Sequence, residues 1–191
     1  AGHVSKLAVL VVVLLVVLVC PQEESRLVML LLGILGVLAG ELAAWRAQDL
    51  ARMLAWSSIG QLGIVFIAFS LPGRAGIVAG VAVALHHLVA KPALFLLAER
   101  WGGSIEALRG GARVSPTGGA LYVLFALSLV GLPPVPGFWA KLLTLTGLAA
   151  AASAVHMLAI AVVLLATIVE VSYLFRVAAT LYSGEAAESG A

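Results

Sequence analysis

The chain has 191 residues, 63% of them hydrophobic and 10% charged, and a mean hydropathy of +1.16. Soluble domains are about 45–50% apolar and about 25% charged, so the composition excludes an ordinary soluble fold and calls for helices that are apolar on all sides in a bilayer. The net charge of +2, with no run of Lys or Arg, argues against a nucleic-acid partner, and the single cysteine, Cys20, excludes an internal disulfide and a cysteine-based metal site.

Six apolar segments follow one another, so the expected fold is all-α, a polytopic membrane domain of about six transmembrane helices over residues 1–191. The first runs from about Val4 to Val19 and stops at Pro21. Lys6 near its start gives it the look of a signal peptide, but no small-residue cleavage site follows, so it reads as a true helix. The second covers about Leu27 to Ala47. The third covers about Leu50 to Leu71 and stops at Pro72-Gly73. The fourth covers about Ile77 to Leu97 and contains Pro92. The fifth covers about Ala120 to Ala150 with a break in the middle. The sixth covers about Val155 to Tyr182. No segment alternates in polarity with a period of two, which excludes a membrane barrel.

The one long connection, Glu99 to Gly119, reads as an amphipathic, Gly-rich loop. With Arg46, Arg52, Arg100, Arg109 and Arg113 on one side, against Arg26 and Arg74 on the other, the positive-inside rule places the first side and the C-terminus in the cytoplasm. The expected location is an inner, cytoplasmic membrane.

Ionisable residues inside such segments are costly, about 2.5–3.5 kcal/mol each at the bilayer centre on insertion scales. Those present are Lys6, Glu41, His86, His87, Lys91, Lys141, His156 and Glu170. His87 and Lys91 are four apart, on one helix face. Pro92 has no N–H to offer the carbonyl of Leu88. A kinked helix with a histidine, a lysine and a free carbonyl is a candidate hydrated proton-relay site; the competing reading is a packing helix whose lysine snorkels to an interface. His86 points about 100° away from His87 and reads equally as a packing histidine. Lys6 and Glu41 lie near segment ends and read as relay or as interfacial residues. Glu170 lies deep in the sixth segment, with Tyr173 and Arg176 beyond it. His156 sits at a helix start and reads as structurally neutral.

The fifth segment is the most specific feature. Gly131-Leu132-Pro133-Pro134-Val135-Pro136-Gly137 cannot continue a helix. Each flank is about 13 residues, or about 20 Å at 1.5 Å per residue, so the two span together with a break at mid-depth, tolerated where it lines a cavity. Lys141 follows about one turn into the second half. That end carries the positive pole of the helix dipole, and both the dipole and burial disfavour an ammonium there, so Lys141 is expected to load and release a proton; the competing reading is a loop between two short re-entrant helices with a snorkelling lysine. No nucleotide loop, redox-cofactor motif or hydrolase elbow is present; no cofactor, metal or catalytic centre is expected.

Several stretches resemble the antiporter-like proton-translocating membrane subunits shared by complex I, membrane-bound hydrogenases and Mrp-type cation/proton antiporters. They are Ala1-Gly2-His3-Val4-Ser5-Lys6, Asp49 to Gly63, His86-His87-Leu88-Val89-Ala90-Lys91, Ser128 to Lys141 with its Pro133, Pro134, Pro136 and Gly137, and Glu170 to Arg176. The resemblance implies relay roles for Lys6, His87, Lys91 and Lys141. It implies a chain built as the last helix of a first repeat plus a second five-helix repeat, that is, the C-terminal half. Partners would then be the remaining N-terminal helices, other membrane subunits and the lipid bilayer, and the cargo protons or Na+. Ala51, Trp56 and Pro92 depart from the family pattern. The other reading is a structural membrane subunit that transports nothing; the buried charges argue against it, because a scaffold would gain by replacing them with apolar residues.

Overall fold

The computed structural model describes residues 22–184; the first apolar segment, with Lys6, lies outside the described residues. Seven α-helices are formed in this range: α1 Glu23–Arg46, α2 Leu50–Ser70, α3 Gly73–Trp101, α4 Gly111–Val114, α5 Pro116–Val130, α6 Pro136–Ala151 and α7 Ala154–Tyr182. Helices α1, α2, α3 and α7 are long and apolar enough to cross a membrane, at 24, 21, 29 and 29 residues. At 1.5 Å per residue the shortest is about 32 Å long, matched to a hydrocarbon core of about 30 Å. Large apolar side chains such as Leu35, Leu165, Ile168 and Phe175 are exposed along their outer faces, an arrangement suited to lipid and costly in water.

Local sequence sets the helix ends. The Asp49 carboxylate accepts from the Arg52 backbone N–H at 2.8 Å and so starts α2. Pro116 and Pro136 occupy the first turns of α5 and α6, where a missing N–H costs nothing. Gly131 ends α5 in the left-handed region at φ +83°, which only glycine adopts freely. The fifth apolar segment is thus two helices, with 131–135 as the break. Helix α3 runs on across Pro92 and is longer at both ends than its apolar stretch suggests.

Helices α1 and α2 pack through glycine. A Cβ on Gly63 would lie 2.6 Å from the Gly33 carbonyl oxygen, and one on Gly40 would collide with the backbone of Gly60. Small residues at a helix seam let backbones approach closely, which is how helices associate in lipid without a hydrophobic drive between them.

The connection between α3 and α5 corrects the loop expected from Glu99 to Gly119. It contains a 3-10 turn at Glu106–Leu108 and the short α4, and α5 already begins at Pro116. It is fastened across one end of the bundle: the Ile105 N–H donates to the Gln48 carbonyl, and the Gly110 N–H to that of Thr180. Ile105, Leu108 and Ala112 are buried beneath it. The arginines grouped on one side by the loop-charge argument do share this end.

Candidate functional site: two buried polar rungs

Helices α2 and α7 carry the site between them. On α2, Ser57 and Gln61 are one turn apart; on α7, Glu170 and Tyr173 are one turn apart. Gln61 Nε2 donates to Glu170 Oε1, and the Tyr173 hydroxyl lies 2.8 Å from Ser57 Oγ. These contacts form two rungs between the helices, and each is joined by a lysine from elsewhere.

At the first rung, Lys141 of α6 reaches Glu170 Oε2 at 2.8 Å in an ion pair, and also donates to the Val130 carbonyl at 3.0 Å and to Thr167 Oγ1 at 3.2 Å. Val130 is the last residue of α5, and the last carbonyls of a helix have no partner within it. The break therefore creates an acceptor at depth, and the lysine after the break satisfies it. Thr167 directs its own proton to the Val163 carbonyl, leaving its lone pairs to the ammonium. The Glu170 carboxylate supplies the countercharge missing from the sequence argument about Lys141, so the charged ammonium is compensated here.

At the second rung, Lys91 of α3 donates to Ser57 Oγ at 2.6 Å, and the Tyr173 hydroxyl lies 2.7 Å from Glu41 Oε2 on α1. Tyr173 has one proton, and a carboxylate only accepts. With Glu41 ionised, Tyr173 donates to it and the Ser57 proton serves the Tyr173 oxygen. The four groups then make one directed string from Lys91 through Ser57 and Tyr173 to Glu41.

Lys91, Glu170 and Glu41 are deeply buried, and Lys141 is half-buried. Lys91 is 0% exposed, Glu170 1% and Glu41 3%. Lys91 and Glu41 are thus packed inside the bundle rather than on its outer face. His87 is buried on the same α3 face as Lys91, and its ring meets that of His86 edge-on with centroids 5.0 Å apart. His86 points away, as its spacing indicates, and its Nε2 lies 2.9 Å from Ser128 Oγ on α5. Its ring also sits where a side chain on Gly137 would fall, so the glycine lets His86 lie against the break. His156 is half-buried, and its Nδ1 lies 2.6 Å from Ser153 Oγ. Among the described residues no cluster of His, Cys, Asp or Glu is arranged to hold a metal.

Ser57, Gln61, Thr167 and Tyr173 are members of the site that charge alone does not reveal. The available signal was the four-residue spacing of Ser57 and Gln61 in an apolar segment, and the three-residue spacing of Glu170 and Tyr173.

Comparison with known proteins places the chain in a family. The model of the transmembrane family described as NADH:quinone oxidoreductase/Mrp antiporter matches residues 1–168. The chain belongs to this family. It is 32% identical over 183 residues to NADH-quinone oxidoreductase subunit N 2 of Solidesulfovibrio magneticus, covering 93% of this chain and 38% of that protein. It is 33% identical over 198 residues to NADH-quinone oxidoreductase subunit N of Salinispora tropica, covering 94% and 38%. Among solved structures it resembles a chain of respiratory complex I from Thermus thermophilus, with TM-score 0.87, 25% identity and coverage of 98% of this chain and 41% of that one. It also resembles a chain of the Mrp complex from Dietzia, with TM-score 0.83, 26% identity and coverage of 94% and 34%. The chain thus spans between about a third and two fifths of the length of these relatives. It is a multi-pass membrane protein of the antiporter-like class.

Proposed function

We propose that this chain carries protons, or protons in exchange for Na+, across part of a cytoplasmic membrane, as a portion of a larger redox-driven or antiporter-type complex. The observation that carries the reading is the ion pair of half-buried Lys141 with buried Glu170 at the break between α5 and α6. Buried ion pairs are poor stabilisers, since packed apolar residues of the same volume often do as well or better. Paired ionisable groups inside a membrane domain point instead to an ion pathway. Lys141 and Glu170 form the proton-holding pair of the first rung. Lys91, Ser57, Tyr173 and Glu41 conduct along the second, with His87 beside Lys91 and His86 at the break. Lys6 belongs to the same relay by its resemblance to the family's lysine helix. The partners are other membrane subunits, the cargo needs no cofactor in this chain, and the arginine-rich end with the C-terminus faces the cytoplasm.

The test is Lys141→Ala in the full-length protein within its assembled complex, reconstituted in liposomes with an internal pH-sensitive dye. It is expected to abolish most translocation. Removing one partner of a buried pair costs about 3–5 kcal/mol, so the double variant Lys141→Met, Glu170→Gln, which leaves no unpaired charge, accompanies it. Translocation at the wild-type rate by either assembled variant refutes the role and favours a structural subunit.

A further inference from the structure

Gln61 is 2% exposed, and its two terminal atoms are treated unequally. Nε2 donates to Glu170 Oε1, while Oε1 is buried with no hydrogen-bond partner among the described residues. Leaving a buried acceptor unpaired costs about 1–3 kcal/mol. A methionine would fill nearly the same space without that penalty, so packing alone gives no reason for an amide.

A reason appears if Glu170 takes up and gives off a proton, as proposed above and on which this inference rests. The ionised carboxylate only accepts, and needs donors at both oxygens. Lys141 meets Oε2 and Gln61 Nε2 meets Oε1. Once protonated at Oε1, the group presents an O–H and needs an acceptor on that side. An amide carries a donor and an acceptor of almost the same size, exchanged by a half-turn of its terminal torsion. We infer that Gln61 is a two-state positioning residue, turning its N–H to ionised Glu170 and its oxygen to protonated Glu170. Each orientation keeps one Gln61–Glu170 hydrogen bond and leaves one amide atom unpaired, so the amide itself favours neither state strongly. The acidic proton is then held on the side of Glu170 away from Lys141, and the ion pair can part without stranding the carboxyl group. The other titratable groups turned toward this interior are Glu41 from α1, His86, His87 and Lys91 from α3, Lys141 from α6 and Tyr173 from α7. Gln61 also sits one turn from Ser57, so its rotation occurs beside the second rung.

The experiment uses the full-length protein in its assembled complex, with isotope-labelled glutamine and infrared difference spectra between low and high pH. The Glu170 band is assigned by its loss in Glu170→Gln, and the Gln61 amide band by its loss in Gln61→Met. In the wild type the amide band is expected to change with the protonation of Glu170, and in Glu170→Gln the change should vanish. In Gln61→Met the carboxyl band should move to higher wavenumber as its hydrogen bond is lost, and translocation should fall about tenfold, the equivalent of one hydrogen bond at about 1.4 kcal/mol per decade. An amide band that stays fixed while Glu170 titrates overturns the inference. So does a Gln61→Met variant at the wild-type rate while Glu170→Gln is inactive. If Glu170→Gln itself translocates at the wild-type rate, the relay role of Glu170 fails first.

Discussion

Tyr173→Phe is the sharpest probe of the second rung. The ring keeps its volume and its buried position, and only the hydroxyl is lost. In the structure that hydroxyl is the link between Ser57, at 2.8 Å, and Glu41, at 2.7 Å. Its removal takes from the Glu41 carboxylate a donor worth about 1.5–3 kcal/mol, the range for hydrogen bonds to charged groups. It also cuts the string from Lys91 to Glu41. If a proton crosses between them through Ser57 and Tyr173, that loss enters the barrier, and at about 1.4 kcal/mol per decade the rate falls roughly 10- to 150-fold. Glu41 itself is retained, so the defect lies in transfer rather than in the number of ionisable groups.

The assay is dye-reported proton flux in proteoliposomes holding the complete complex, with assembly checked independently. Ser57→Ala should reproduce the defect, because it removes the neighbouring member of the same string. The double variant should be no slower than the worse single one, since a broken string cannot be broken twice. Independent, multiplicative losses, or an assembled Tyr173→Phe complex at the wild-type rate, would refute the argument that these two hydroxyls conduct in series.

Gly40→Ala places a methyl group against the backbone of Gly60; overpacking of about 1–3 kcal/mol outweighs the gain of about 1 kcal/mol in helix propensity, and a lower thermal midpoint in detergent is the readout. Asp49→Ala removes the cap from the Arg52 N–H and is expected to cost about 1 kcal/mol with translocation unchanged, measured by thermal unfolding alongside the flux assay.

What was legible in the sequence was what depends on spacing along one helix. Hydropathy located the long spans, Pro133, Pro134, Pro136 and Gly137 located the break, and the four-residue interval joined His87 to Lys91. What could not be read was pairing between helices. Glu41 lies within two turns of the arginine-rich end of α1 and looks interfacial by position, yet it is buried against Tyr173, 132 positions away. Glu170 and Lys141 were each visible as isolated charges, and their ion pair was not. Lys141 was accordingly argued from the helix dipole and burial, without its countercharge. The helical turns within the connection from Glu99 were missed because its glycines suggested a loop, while its amphipathic pattern corresponds to Ile105, Leu108 and Ala112 buried against the bundle.

The glycine seam connects these two kinds of information. Gly60 lies on α2 between Ser57 and Gln61, and a Cβ there would collide with Oε1 of Glu41. Gly40, the residue before Glu41, is itself pressed against Gly60. Close approach of α1 to α2 thus brings a carboxylate to the hydroxyl of Tyr173. In lipid that approach must come from small residues and polar contacts, because apolar side chains gain little by leaving one hydrocarbon surface for another. The glycines that look permissive in the sequence therefore set how near Glu41 can come to the α2–α7 rungs, and the order of the chain, Gly40-Glu41 on one helix and Ser57-x-x-Gly60-Gln61 on the next, already encodes that contact.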